Sequence, residues 1–175
     1  MGIWYRAQIV RYAETALLII KKPDIASVLH AVRRESFGML CVKDPAGADD
    51  CYVFDADGVV FDSARVVVGD VIARVDDASD FKPVLGGMFA DVDIWHNMAL
   101  IIAYAKDGLP ANRMAFDRAD RELTVTLTDS GTKLYFNVGA DPFEHIRALK
   151  ELAKTVPLTT LQYADLRVKG RVFYK

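Results

Sequence analysis

The chain has 175 residues, 52% of them apolar, enough for one large domain or two small ones around a real core. Lysine and arginine total 22 against 24 acidic residues, a net charge of −2 with no basic block, which argues against nucleic acid as a principal ligand. No apolar run reaches the length of a membrane span, and Met1 to Arg11 lacks the layout of a secretory signal, because its basic residues interrupt rather than precede an apolar core.

In chain order, Ala7 to Ile20 reads as two extended segments or a strand pair, with Gln8, Val10 and Tyr12 alternating against Ile9 and Arg11 before Lys21-Lys22-Pro23. Pro23 to Leu29 fits a short helix and a continued strand equally, since its apolar residues satisfy both periods. Phe37 to Val42 and Cys51 to Phe54 are short strands joined by a loop of turn formers, Lys43 to Asp50, which makes a hairpin. The two cysteines, Cys41 and Cys51, sit where those strands leave the loop. Two readings stand: a bridge closing about ten residues, worth roughly 2–4 kcal/mol in an oxidising compartment, or two buried thiols in a reducing one.

Val53 to Ser63 contains Asp55-Ala56-Asp57-Gly58 after an apolar strand, and so resembles the first motif of haloacid-dehalogenase-type phosphatases. In that family the first carboxylate is the nucleophile and the second the acid and base, with magnesium between carboxylate and phosphate; here they would be Asp55 and Asp57. The later strand-end hydroxyl, lysine and carboxylate pair of that family are not found in order, and Asp70, Asp76 and Asp77 come too early to close such a site. An EF-hand loop fits less well, because Val59 and Val66 occupy ligand positions. The structural reading makes Asp57-Gly58 the tight turn of a hairpin joining Cys51–Phe54 to Val59–Phe61, with the carboxylates capping it.

Val66 to Val75 fits one bulged strand or two short ones around Gly69-Asp70. Asp76 to Asp80 is an acidic connector, and Phe81 to Gly87 is a break. Asp91 caps a helix whose Ile94, Trp95, Met98, Ile101, Ile102 and Ala105 share a face, ending at Gly108-Leu109-Pro110. His96 lies off that face, and His30 and His145 lack partners at metal-ligand spacing, so no metal or cofactor is expected. Nucleophile elbow, phosphate loop and dinucleotide fingerprint are all missing.

The tail reads strand, strand, helix, strand. Leu123, Val125 and Leu127 alternate with threonines, Asp129-Ser130-Gly131 turns the chain, and Leu134, Phe136 and Val138 resume the alternation. Asp141-Pro142-Phe143-Glu144 is a capping box with proline at the first helical position, opening a helix with Phe143, Ile146, Leu149, Leu152 and Ala153 towards the sheet. After Pro157 a last strand begins near Leu161. From Leu166 the sides separate: Leu166, Val168, Val172 and Tyr174 on one, Arg167, Lys169, Arg171 and Lys175 on the other, with Phe173 the apolar exception. Such a strand at a sheet edge offers unpaired backbone groups to a peptide, or carries its charges only to keep the edge soluble.

With the whole order on the page, the chain resembles the extracytoplasmic part of the FtsQ/DivIB family of bacterial cell-division proteins. The resemblance runs from about Ile9 to Lys175 and rests on Asp55 to Phe61, the Pro83-Val84-Leu85-Gly86 break, and above all Tyr163-Ala164-Asp165-Leu166-Arg167-Val168-Lys169-Gly170-Arg171-Val172. It implies an α+β fold: a mixed, largely antiparallel sheet with two main helices on it over residues 51–175, preceded at 1–50 by the closing strands of a POTRA-like domain. The implied protein is a single-pass membrane protein with this region outside the cytoplasm, anchored by an N-terminal helix absent from the sequence as given. Its implied role is that of a non-catalytic divisome scaffold in septation. It has no small-molecule substrate, and it receives a strand from an FtsB/DivIC-type partner, alongside an FtsL-type protein, at its last strands. The partner-binding residues become Asp165, Leu166, Arg167, Val168, Lys169, Arg171, Phe173 and Tyr174, with Arg167, Val168, Lys169 and Arg171 facing the partner. An extracytoplasmic position also favours the bridged state of Cys41 and Cys51.

Overall fold

A computed structural model describes residues 6–12, 15–21, 26–32, 34–43, 47–64, 72–111 and 113–175, divided into two compact units, Met1–Glu35 and Ser36–Lys175. In the first unit, β1 (Arg6–Tyr12), β2 (Thr15–Lys21) and β3 (Ala26–Val32) form an antiparallel meander in which Val10 opposes Leu17 and Leu17 opposes His30. The strand pair expected over 7–20 is present. From Ala26 the undecided stretch is strand, while Pro23, Asp24 and Ile25 lie outside the described residues.

The second unit is built on a nine-stranded mixed sheet carrying two helices. Its strands are β4 (Gly38–Lys43), β5 (Asp49–Phe54), β6 (Val60–Ala64), β7 (Ala73–Asp77), β8 (Arg113–Asp117), β9 (Glu122–Thr126), β10 (Lys133–Asn137), β11 (Tyr163–Asp165) and β12 (Phe173–Tyr174). They lie in the order β12-β11-β10-β9-β8-β7-β4-β5-β6. Hairpins make the antiparallel pairs. Three pairs are parallel: β7/β8 and β10/β11 are joined through the crossovers α1 (Val92–Gly108) and α2 (Pro142–Thr155), and β4/β7 is separated in sequence by β5 and β6. The division between units falls at 35/36 rather than at the expected 50/51, because β4 lies between β5 and β7 within the large sheet. β8 has no counterpart in the sequence reading; Val66 to Val71 lies outside the described residues, and the acidic stretch after Val75 begins as the end of β7.

One face of the sheet and the inner faces of both helices close a single core that includes Leu40, Phe54, Val75, Met114, Leu123, Val125, Leu134 and Phe136. From α1, Trp95, Met98, Ile101, Ile102 and Ala105 are buried, as their spacing requires, each large side chain contributing about 1.5–3 kcal/mol. Asp91 holds the N-cap position of α1 without a side-chain cap bond, whereas Asp141 caps α2 by accepting from the Phe143 N–H at 2.9 Å. The buried face of α2 is rotated from the expected one. Pro142, His145, Leu149 and Leu152 point inward, while Phe143 is 65% exposed and Ala153 faces solvent. The i, i+4, i+7 row from His145 fixes that rotation.

The sheet's other face carries a small buried cluster of Met39, Cys41 and Cys51 and is otherwise mostly polar. A ladder of ion pairs runs across it: Lys43 to Asp49, Asp49 to Arg74 at 2.8 Å, Arg74 to Asp76, and Asp76 to Arg113 at 2.9 Å. The Asp49 carboxyl is held at about 2, first by its hydrogen bond from Lys43 and then by that from Arg74.

Candidate partner-binding edge

The sheet ends in two terminal strands, β12 and β6. The β12 end contains every residue the sequence nominated for partner binding, but in a different arrangement. Tyr163 to Tyr174 is a hairpin, not one continuous strand: β11 runs parallel to β10, the chain turns through Val168, Lys169 and Gly170, and β12 returns antiparallel with Ala164 opposite Tyr174 and Asp165 opposite Phe173. The turn closes with the Arg171 N–H donating to the Val168 carbonyl at 3.1 Å, and Gly170 supplies the φ of +70° it requires.

This hairpin sorts the nominated residues. Leu166 is 1% exposed and anchors the hairpin in the core, its N–H donating to the Tyr135 carbonyl. Asp165 and Arg167 are locked together: Nε and Nη2 of Arg167 reach the two carboxylate oxygens of Asp165 at 2.9 and 2.6 Å, while Nη1 reaches Glu122. Those bonds hold the Asp165 carboxyl below the usual range and raise the Arg167 guanidinium. Arg167 is therefore a brace tying β11 to β9. Val168 and Lys169 ride on the turn, and Lys169 reaches back to Glu144 of α2 at 3.3 Å. Arg171 is exposed, and Phe173 and Tyr174 are half-exposed on β12 itself.

The backbone of β12 presents one face outward. The Lys175 N–H donates to the Tyr163 carbonyl at 3.2 Å, so alternation along an antiparallel ladder turns the N–H and C=O of Tyr174 away from β11. Beside this edge, α2 and the 168–172 turn enclose a groove of about 550 Å³ with Ala148, Leu152, Leu166 and Val172 in its lining and Glu144, Glu151, Lys169 and Arg171 among its polar residues. The contribution of α2 had no local sequence signal; it arises from the βαβ crossover that lays the helix next to the last turn. His145 also lines the groove. Its buried Nδ1 has no hydrogen-bond partner, and burial lowers its imidazole below the ordinary value against the smaller opposing pull of Asp141 and Glu144.

The other sequence candidates lie elsewhere. Cys41 and Cys51 oppose one another in β4 and β5 and are bonded as a disulfide, buried with Met39 on the sheet face away from the helices. Asp55 closes the β5–β6 turn, its Oδ1 accepting from the N–H groups of Asp57 at 3.0 Å and Val59 at 2.9 Å. Gly58 completes that turn with a φ of +77°. Asp57 is exposed beside it, His96 is exposed on α1, and the His30 side chain lies outside the described residues. Among the described residues no three His, Cys, Asp or Glu side chains converge on a possible cation, and no helix is long and apolar enough to cross a membrane. No family model matches the chain, and no curated protein matches it.

Proposed function

We propose that this chain is a non-catalytic scaffold of the bacterial divisome, of the FtsQ/DivIB kind, that recruits an FtsB/DivIC-type partner by strand addition at β12. The observation that carries the reading is the outward-facing backbone of Tyr174 on a terminal strand, flanked by half-exposed Phe173 and Tyr174 and by the groove under α2. Backbone bonds along β12 supply affinity, and the groove beside it offers a place for apolar side chains of the incoming segment. Arg171 and Lys169 steer acidic residues of the partner towards the groove, while Arg167 keeps the hairpin in place from behind.

The test is binding of labelled peptides from the carboxy-terminal extracytoplasmic region of the partner candidate of the same organism. Tyr174→Pro removes the one outward N–H and leaves the inward bonds of Phe173 and Lys175 intact. Saturable binding lost in Tyr174→Pro, with unchanged circular dichroism, is the expected result. Binding that survives the proline places the interface away from this edge and overturns the strand-addition mechanism.

A further inference from the structure

Among the described residues, the exposed large apolar side chains fall into two groups, one at each end of the sheet. Phe143, Val168, Phe173 and Tyr174 belong to the β12 end. Val84, Leu85, Met88 and Val92 belong to the β6 end, where the segment 84–88 packs along the start of β6: the Val60 N–H donates to the Gly87 carbonyl at 2.9 Å and the Gly86 N–H to the Val60 carbonyl at 2.7 Å. Val84, Leu85 and Val92 are 68, 60 and 67% exposed, an apolar surface larger than single scattered residues explain. Beyond Val60, β6 is a terminal strand of the described sheet.

The two ends carry opposite charge. Around the β6 end stand Asp57, Asp62, Asp91 and Asp93, and among the described residues none of these carboxylates has a cation at ion-pair distance. Around the β12 end stand Lys169, Arg171 and Lys175, the last two likewise unpaired. Each end thus combines an apolar patch, a terminal strand and an excess of unpaired charge of one sign, acidic at β6 despite Lys82 beside Val84 and basic at β12, and these excesses complement one another.

We infer that a second copy of this chain docks its β12 end onto the β6 end of the first. The contact is heterologous, so each copy keeps one free end of each kind and association is head-to-tail and open-ended. The two-residue length of β12 puts it in the weak, transient class. The inference shares with the proposed function only the openness of β12, and the partner and the second copy compete for it.

The experiment is sedimentation equilibrium of the purified chain at concentrations rising to about 1 mM, the weak end of the affinity scale. The expected result is a weight-average mass that climbs with concentration and falls back when salt is raised severalfold. Two charge-reversed variants then test polarity: Asp57→Lys/Asp62→Lys keeps a native β12 end, and Arg171→Glu/Lys175→Glu keeps a native β6 end. Each alone stays monomeric, and an equimolar mixture associates again and grows with concentration, because the native β12 end of one variant meets the native β6 end of the other and the two reversed ends are themselves complementary. A wild-type chain that is monomeric throughout overturns the inference, and so does association that persists in either variant alone. Circular dichroism of each variant reports its fold. No peptide enters the experiment, so the scaffold reading and this one fail separately.

Discussion

The guanidinium of Arg118 sits 2.6 Å from the carboxylate of Asp77, whose side chain has no exposed surface, and 3.7 Å over the ring of Phe81. The same guanidinium donates to the Phe89 carbonyl at 2.6 Å. One side chain therefore ties the end of β7 to the long connection that carries Val84, Leu85 and Met88. Arg118→Met leaves Asp77 as a buried charge without its cation and is expected to cost about 3–5 kcal/mol by urea unfolding. Asp77→Asn/Arg118→Met together should cost less than the two single changes added.

The Asp55 turn gives a paired prediction. Asp55→Asn weakens two backbone acceptances and should cost about 1 kcal/mol. Gly58→Ala should cost more, about 1–3 kcal/mol, since a Cβ there would stand 2.6 Å from the Trp95 ring on a backbone with φ of +77°. A phosphatase using Asp55 as nucleophile and Asp57 as acid and base would hydrolyse an aryl phosphate with magnesium and lose that turnover in Asp55→Asn. Turnover of that kind, measured by released phenolate, would replace the scaffold reading.

Removing the Cys41–Cys51 bridge by Cys41→Ala/Cys51→Ala should lower stability by about 2–4 kcal/mol, towards the lower figure for so short a loop. Reductant should lower the wild-type denaturation midpoint and leave that of the double variant unchanged. Peptide binding at β12 should survive in both, because β7 to β11 lie between β4 and β12.

Acid sensitivity has two sources at different pH. The folded-state imidazole of His145 titrates below its ordinary value of about 6.5, so the unfolded chain binds the proton first and stability falls as pH drops below that value. Asp49 and Asp165 are depressed from the ordinary carboxylate value. Their stabilisation is complete above about 4 and lost on further acidification, for Asp49 down to about 2. Chemical denaturation between pH 7.5 and 5 should therefore show a slope in the wild type that His145→Leu flattens, with the carboxylate-dependent loss at lower pH retained.

Much of this architecture was legible wherever local pattern and tertiary role agree. The α+β class and the two helices followed from the Trp95–Ala105 spacing and from Asp141-Pro142, and the β9–β10 hairpin from Leu123 to Val138. β8 escaped because Arg113 to Asp117 is five residues with an alanine at its centre and no flanking alternation to extend it. The terminal hairpin was read as one strand because period-two alternation from Leu166 to Val172 runs on through Gly170, and only that residue's positive φ betrays the turn. The same merging made Arg167 look like a partner hook. In the fold it is engaged by Glu122, 45 residues away and invisible to local pattern.

β12 is also the smallest strand of the sheet, two residues held to β11 at one side. A ladder so short opens locally at little free-energy cost, and a partner strand requires it closed, so any time β12 spends frayed weakens the apparent affinity by the same fraction. Conversely, a bound partner strand would sandwich β12 between two neighbours and slow amide exchange at Phe173 and Lys175, whose N–H groups point inward and never touch the ligand. Under the proposed scaffold role, β12 would be stabilised by what docks on it, and the strength of recruitment would be tied to how often this two-residue ladder comes loose.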